Sequence, residues 1–169
     1  VKSGDDLSLS VQASSNVKVD YRWQTLDGAA WVDLAGRTGE TLTLRGFRNN
    51  GQQFRAVAVA GSHESISAAT TVQVSKHATS VKVAGSKLKA GKKPVVQVRA
   101  TAAGTARVQV KVGSKTWTTT VALAKNSTKK AAFASTLPRK AKGTATITVT
   151  FTPNSSDYAT AKTVAKVKI

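Results

Sequence analysis

Apolar and polar residues alternate with a period of two along most of the chain. In residues 7–13 Leu7, Leu9, Val11 and Ala13 share one face, with serines and a glutamine on the other. In residues 17–24 Val17, Val19, Tyr21 and Trp23 alternate with Lys18, Asp20, Arg22 and Gln24. Leu42 and Leu44 continue the pattern, as do Phe54, Ala56 and Ala58. Val57 and Val59 lie on the opposite face of that last run, which predicts a strand covered on both sides. Such alternation marks half-buried strands, whereas a helix would repeat every three to four residues. Asp27-Gly28 and Asn50-Gly51 supply turn signals between runs.

The second half repeats the pattern in seven runs, at 80–84, 94–100, 106–112, 116–123, 130–137, 143–152 and 159–169. Val108, Val110 and Val112 alternate with Arg107, Gln109 and Lys111, and Ile147, Val149 and Phe151 alternate with threonines. Val112-Gly113-Ser114 predicts a hairpin turn. No amphipathic helix period is present. The expected fold class is all-β.

Charge divides the chain. Residues 1–75 carry seven basic residues and seven acidic ones (Asp5, Asp6, Asp20, Asp27, Asp33, Glu40 and Glu64). Residues 76–169 carry nineteen basic residues and one acid, Asp157, and so hold the whole net charge of +18. A step this sharp predicts two domains, 1–75 and 80–169, joined by a short polar linker at 76–79. The 40% hydrophobic content is enough to build cores in both. No apolar run approaches eighteen residues, so no transmembrane segment is expected. The N-terminus shows no charged-then-apolar leader, so no signal peptide is expected in this stretch. The absence of cysteine excludes disulfides, thiol catalysis and thiolate metal sites.

Particular residues resemble the immunoglobulin fold. Such a sandwich carries a buried Trp on its third strand, then a turn, an aromatic and a core position two residues later. Trp23 fits the first feature. Asn50-Gly51-Gln52-Gln53-Phe54-Arg55-Ala56 is similar to the Asp-x-Gly-x-Tyr-x-Cys corner, with Phe54 at the Tyr position and Ala56 at the second Cys position. Val11, twelve residues before Trp23, stands near the first Cys position. Three departures follow. Gly51 comes one residue early, Phe54 lacks the corner hydroxyl, and packing of Val11 and Ala56 replaces a bridge that often supplies about 2–5 kcal/mol. Residues 31–36 with Thr41-Leu42-Thr43-Leu44 resemble the middle of bacterial Ig-like domains. Residues 143–163 resemble the closing strands of Ig-like repeats in bacterial surface and secreted proteins, often actinobacterial ones. The resemblance implies two tandem immunoglobulin-like β-sandwiches without disulfides. It further implies an extracellular or cell-surface, non-catalytic module, a spacer or adhesion segment belonging to a longer polypeptide.

In an Ig-like strand order the connections after the first, third and fifth strands of the second domain share one pole. Lys87, Lys89, Lys92 and Lys93 would lie on the first connection, Lys115 at the second, and Arg139, Lys140 and Lys142 on the third. Lys166 and Lys168 would extend the patch along the last strand. Three roles are open to such a pole: solubility and protection of strand edges, association with an anionic cell-wall polymer or acidic polysaccharide, or nucleic-acid binding. Sixteen lysines against three arginines after residue 75, few aromatics and no groove-entering helix disfavour nucleic acid.

Catalytic constellations are missing. The second half has one carboxylate, so no acid/base pair forms there. His63 and His77 are separated by fourteen residues, roughly 45 Å if extended, which argues against a shared metal. Asn154-Ser155-Ser156-Asp157 imitates a calcium loop only faintly in so basic a domain. No phosphate-cradling loop or nucleophile elbow appears. No catalytic residue, metal or cofactor is therefore expected. Trp23 and Trp117 are expected in cores. Trp31 is either a packing residue or a sugar-stacking surface. The leading expectation is a spacer or adhesion module whose basic domain associates with anionic envelope polymers. The alternative is a carbohydrate-binding accessory module of a secreted glycan-degrading enzyme, which exposed coplanar aromatics around Trp31 would favour.

Overall fold

The computed structural model describes residues 1–169 and contains fourteen strands and no helix. The chain divides into two compact units, Val1–Lys76 and His77–Ile169, each with its own core. Both are β-sandwiches, so the all-β, tandem expectation holds.

The first unit contains β1 (Leu7–Ser10), β2 (Val19–Asp27), β3 (Ala30–Asp33), β4 (Thr41–Leu44), β5 (Gln53–Ala60), β6 (His63–Ile66) and β7 (Thr70–Thr71). One sheet pairs β1 with β4, and the other runs β3-β2-β5-β6 with β7 also on β5. Alternation places Leu7, Trp23, Leu42, Phe54 and Ala56 between them, with Phe47 and Val72. Trp23 is paired with Ala56 across the strands, and its indole N–H donates to Gly39 O at 3.0 Å. Phe54 is 3% exposed and meets Phe47 edge-on at 5.8 Å. The ring thus fills the corner without a hydroxyl. Asn50 performs the turn's polar duty: its side-chain oxygen accepts from Val74 N–H at 2.7 Å and ties in the last segment of the unit. Gly51 takes a φ of +82°, which a Cβ would strain.

The run 7–24 departs from the sequence pattern at two positions, whereas the expected outer cover of β5 is present. Val17 is exposed because β2 begins only at Val19, and Ala13 lies beyond the end of β1. Val57 is fully covered although it lies on the outer face, flanked by Arg22 and Ile66 in register.

The second unit contains β8 (Val81–Lys87), β9 (Val95–Ala100), β10 (Gly104–Val112), β11 (Lys115–Leu123), β12 (Thr128–Ala132), β13 (Thr144–Pro153) and β14 (Ala161–Lys168). The sheets are β12-β9-β8 and β11-β10-β13-β14. Inward Val96, Val98, Val108, Val110, Ile147, Val149 and Phe151 are all completely buried. The sheets approach along β11 with β12 and β14 with β8. Thr119 closes the first of these seams by donating to Ala132 O at 2.6 Å. Gly113 and Ser114 form the expected two-residue hairpin, with Val112 opposite Lys115. His77 is tied into this unit: its N–H donates to Asp157 O at 2.8 Å and its ring lies 5.2 Å from Tyr158.

Candidate functional site

The strand order brings the connections β8–β9, β10–β11 and β12–β13 to one end of the second unit. Backbone hydrogen bonds pin two of them together. Gly91 N–H is shared between Leu137 O at 3.1 Å and Pro138 O at 3.2 Å, and Leu137 N–H donates to Lys92 O at 2.8 Å. Leu88 and Leu137 anchor the same loops in the core, at 6% and 1% exposure. Gly91 has a φ of +70°, and the Arg139 chain lies 3.4 Å from where a Cβ would stand. Lys89, Lys92, Lys93, Arg139, Lys140 and Lys142 are therefore exposed on two mutually braced loops. None of them pairs with a carboxylate.

Lys115 opens β11 at the same end, beside a shallow cleft of about 470 Å³ that it lines with Trp117 and Phe133. Lys87 is placed differently from the sequence reading. β8 continues across a bulge between Val83 and Gly85, so Lys87 ends a strand rather than sitting on a loop. It lines a small groove with Gln97 and Lys130 on the outer side of the three-stranded sheet. Lys130 likewise lies within β12.

Trp31 lies on β3, half-buried, on the outer face of the four-stranded path of the first unit. The Arg55 guanidinium covers its ring at 4.3 Å from the centroid. Arg55 Nε–H donates to Gln24 Oε1 at 2.7 Å, and Gln24 Nε2–H donates to Asp33 Oδ1 at 2.7 Å, which holds the cap in place. Tyr21, Trp23 and Phe54 are all buried, so Trp31 has no coplanar aromatic neighbour on that face.

A further concavity was not legible in the sequence. Val32, the residue after Trp31, turns into an open cleft of about 650 Å³ floored by Leu34, Leu44, Phe47 and Phe54, with Asp27, Arg45 and Arg48 on its walls. Leu44, on its floor, lies at the end of β4, which pairs only with β1. No group of three or more histidine, aspartate or glutamate side chains is arranged to hold a metal. Lys18 and Asp20 pair at 2.7 Å in full solvent, and the hydrogen bond to Asp20 raises the lysine pKa.

No family model matches the chain. A segment of 76 residues, 43% of the chain, is 41% identical to Endoglucanase C of Cellulomonas fimi and spans 7% of that protein's length. Among solved structures, the fibronectin(III)-like modules of Clostridium thermocellum CbhA align over 98% of this chain and 85% of theirs, at 18% identity and a TM-score of 0.36. A two-domain fibronectin type-III segment of chicken tenascin aligns over 100% and 95%, at 15% identity and a TM-score of 0.40. A 1.5-MDa bacterial ice-binding adhesin aligns over 98% and 57%, at 12% identity and a TM-score of 0.40. At such values the assignment of fold rests on the chain's own sheet order: two tandem antiparallel β-sandwiches.

Proposed function

We propose that the chain is a non-catalytic accessory module of a larger secreted glycan-degrading protein of bacterial, and specifically actinobacterial, origin. The observation that carries this reading is the 41% identity over 76 residues to an endoglucanase of which the matched segment is only 7%. A short stretch shared with so long an enzyme is the behaviour expected of a module that travels with catalytic domains. The electrostatics of the second unit agree, because a single carboxylate cannot supply an acid/base carboxylate pair. In this reading the contact with a neutral glycan is made by the part of the half-buried Trp31 ring that Arg55 leaves open, on the sheet face opposite the cleft that Val32 enters. Retention on insoluble neutral glucan is expected to persist at high salt. Trp31→Ala is expected to weaken it roughly two- to tenfold, the range of one aromatic contact of about 0.5–1.5 kcal/mol. Equal retention of the variant would remove Trp31 from the contact. No retention at all would leave a spacer.

A second reading is favoured by the braced basic loops. Association of the second unit with an anionic wall polymer or acidic polysaccharide would use Lys87, Lys89, Lys92, Lys93, Lys115, Arg139, Lys140 and Lys142. Lysines suit an irregular polyanion because each is a mobile point charge. Replacing Lys87, Lys89, Lys92 and Lys93 by glutamine is expected to leave the fold intact, since all four are exposed. Binding to purified wall polymer should fall at least several-fold, and unchanged binding would free this pole of the role.

A further inference from the structure

The outer face of the β11-β10-β13-β14 sheet carries an ordered grid of cations and hydroxyls. Register sets its rows. Thr116, Lys111, Thr146 and Lys166 lie side by side across the four strands. Four residues further along each strand, Thr120, Arg107, Thr150 and Lys162 repeat the sequence threonine, cation, threonine, cation. Between these rows lie Thr118, Gln109, Thr148 and the exposed Val164. No acidic side chain stands on this face. No hydroxyl of these six threonines makes a side-chain hydrogen bond within the molecule, whereas inward Thr119 does.

Strand geometry gives the grid its dimensions. Two cations of one row are separated by one intervening strand, or about 10 Å. The two rows are about 13 Å apart along the strands. Lysine ends are mobile, but β-branched threonines are stiff at χ1. The hydroxyls between the cations therefore stay in position. Such a face offers sparse positive charge with fixed hydrogen-bonding groups between the charges. Duplex DNA carries one charge per about 1.7 Å of axis and asks for denser cations. A single-stranded nucleic acid asks for aromatic platforms, and this face has none. A linear polymer with at most one carboxylate or sulfate per sugar and many hydroxyls is less densely charged than duplex DNA and matches both features.

We propose that this sheet face is a binding site for an acidic polysaccharide, distinct from the braced loops at the pole. The proposal rests on the reading that the second unit meets anionic polymers, and it names the surface and the polymer class. The polymer lies flat across the strands, its anionic groups at Lys111, Lys166, Arg107 and Lys162 and its hydroxyls at Thr146, Thr148 and Thr150.

The test uses the full chain with polygalacturonate as probe, and with neutral hydroxyethylcellulose and duplex DNA as comparisons. The variant R107Q/K111Q/K162Q/K166Q is measured beside the pole variant K87Q/K89Q/K92Q/K93Q. The sheet-face variant is expected to bind polygalacturonate roughly tenfold or more weakly, from the summed loss of four exposed charge contacts. The pole variant should lose clearly less. Wild-type binding should fall steeply between about 50 mM and about 500 mM salt, because exposed charges are screened within a few ångströms there. Amide shifts of the wild-type chain should cluster on β10, β13 and β14, a readout that does not depend on how any variant folds. Loss confined to the pole variant overturns the sheet-face site while leaving polyanion binding standing. Tighter retention of DNA than of polygalacturonate overturns the polymer class. Absence of binding to every polyanion overturns both.

Discussion

Trp23→Ala is expected to cost the first unit about 3–5 kcal/mol, the range for removing a buried large aromatic. The indole is 4% exposed and sits among Leu7, Leu42 and Phe54 between the two sheets. Its N–H is the donor for Gly39 O, so the substitution also leaves that carbonyl without its partner. A domain of this size holds about 5–15 kcal/mol in total. No disulfide bridges the sheets, because the chain has no cysteine. The loss is therefore a large share of the unit's stability. Urea titration of the full chain, followed by tryptophan-independent amide signals of the first unit, should show its midpoint fall sharply. Trp23→Phe, which keeps an apolar ring and loses the donor, should cost clearly less. A loss below about 1 kcal/mol for the alanine variant would contradict the placement of Trp23 at the centre of this core.

Phe151→Ala should do comparable damage to the second unit, again about 3–5 kcal/mol. The side chain is completely buried in a core drawn from both sheets. Its strand partner is Ala106, and two residues earlier Gly104 lies opposite Pro153. A Cβ on Gly104 would come within 2.6 Å of Phe151 Cζ and 2.8 Å of Pro153 Cα. The small residues at 104 and 106 thus leave room that the ring fills, and truncating the ring opens a cavity lined by neighbours that are themselves fixed in strands. At about 4–8 °C per kcal/mol for a unit of this size, the melting midpoint should drop by more than about 12 °C. Differential scanning calorimetry on the full chain checks this. Phe151→Leu should lose less than half as much, because most of the apolar volume remains. Equal losses for the two variants would mean that the ring's shape, rather than its volume, holds the site together.

Much of the fold could be read in the order of residues. Period-two alternation located most strands of both units, although the run read at 130–137 is a strand only to Ala132 and a loop beyond it. The Gly113-Ser114 hairpin needed no more than its two turn residues. The covered outer side of β5 was visible in Val57 and Val59, although register with Arg22 and Ile66 was needed to explain it. Lys87 was misplaced because the run read from the sequence ends at 84, whereas β8 continues across a bulge at Val83–Gly85 and pairs with β9 as far as Lys87. Trp31 stayed ambiguous because its cap, Arg55, is distant in sequence and reaches it through the pairing of β3, β2 and β5.

What the sequence determined by itself is local and periodic. It set which residues face inward, since alternation is a property of one strand, and it placed the excess of cations after residue 75, since charge is additive along the chain. What only the tertiary structure decided is adjacency. The bracing of the 88–94 and 133–143 loops, the cleft beside Val32 and the rows of threonines and cations all join segments tens of residues apart. Their neighbours depend on register, and a shift of one residue would send each of these side chains to the opposite face.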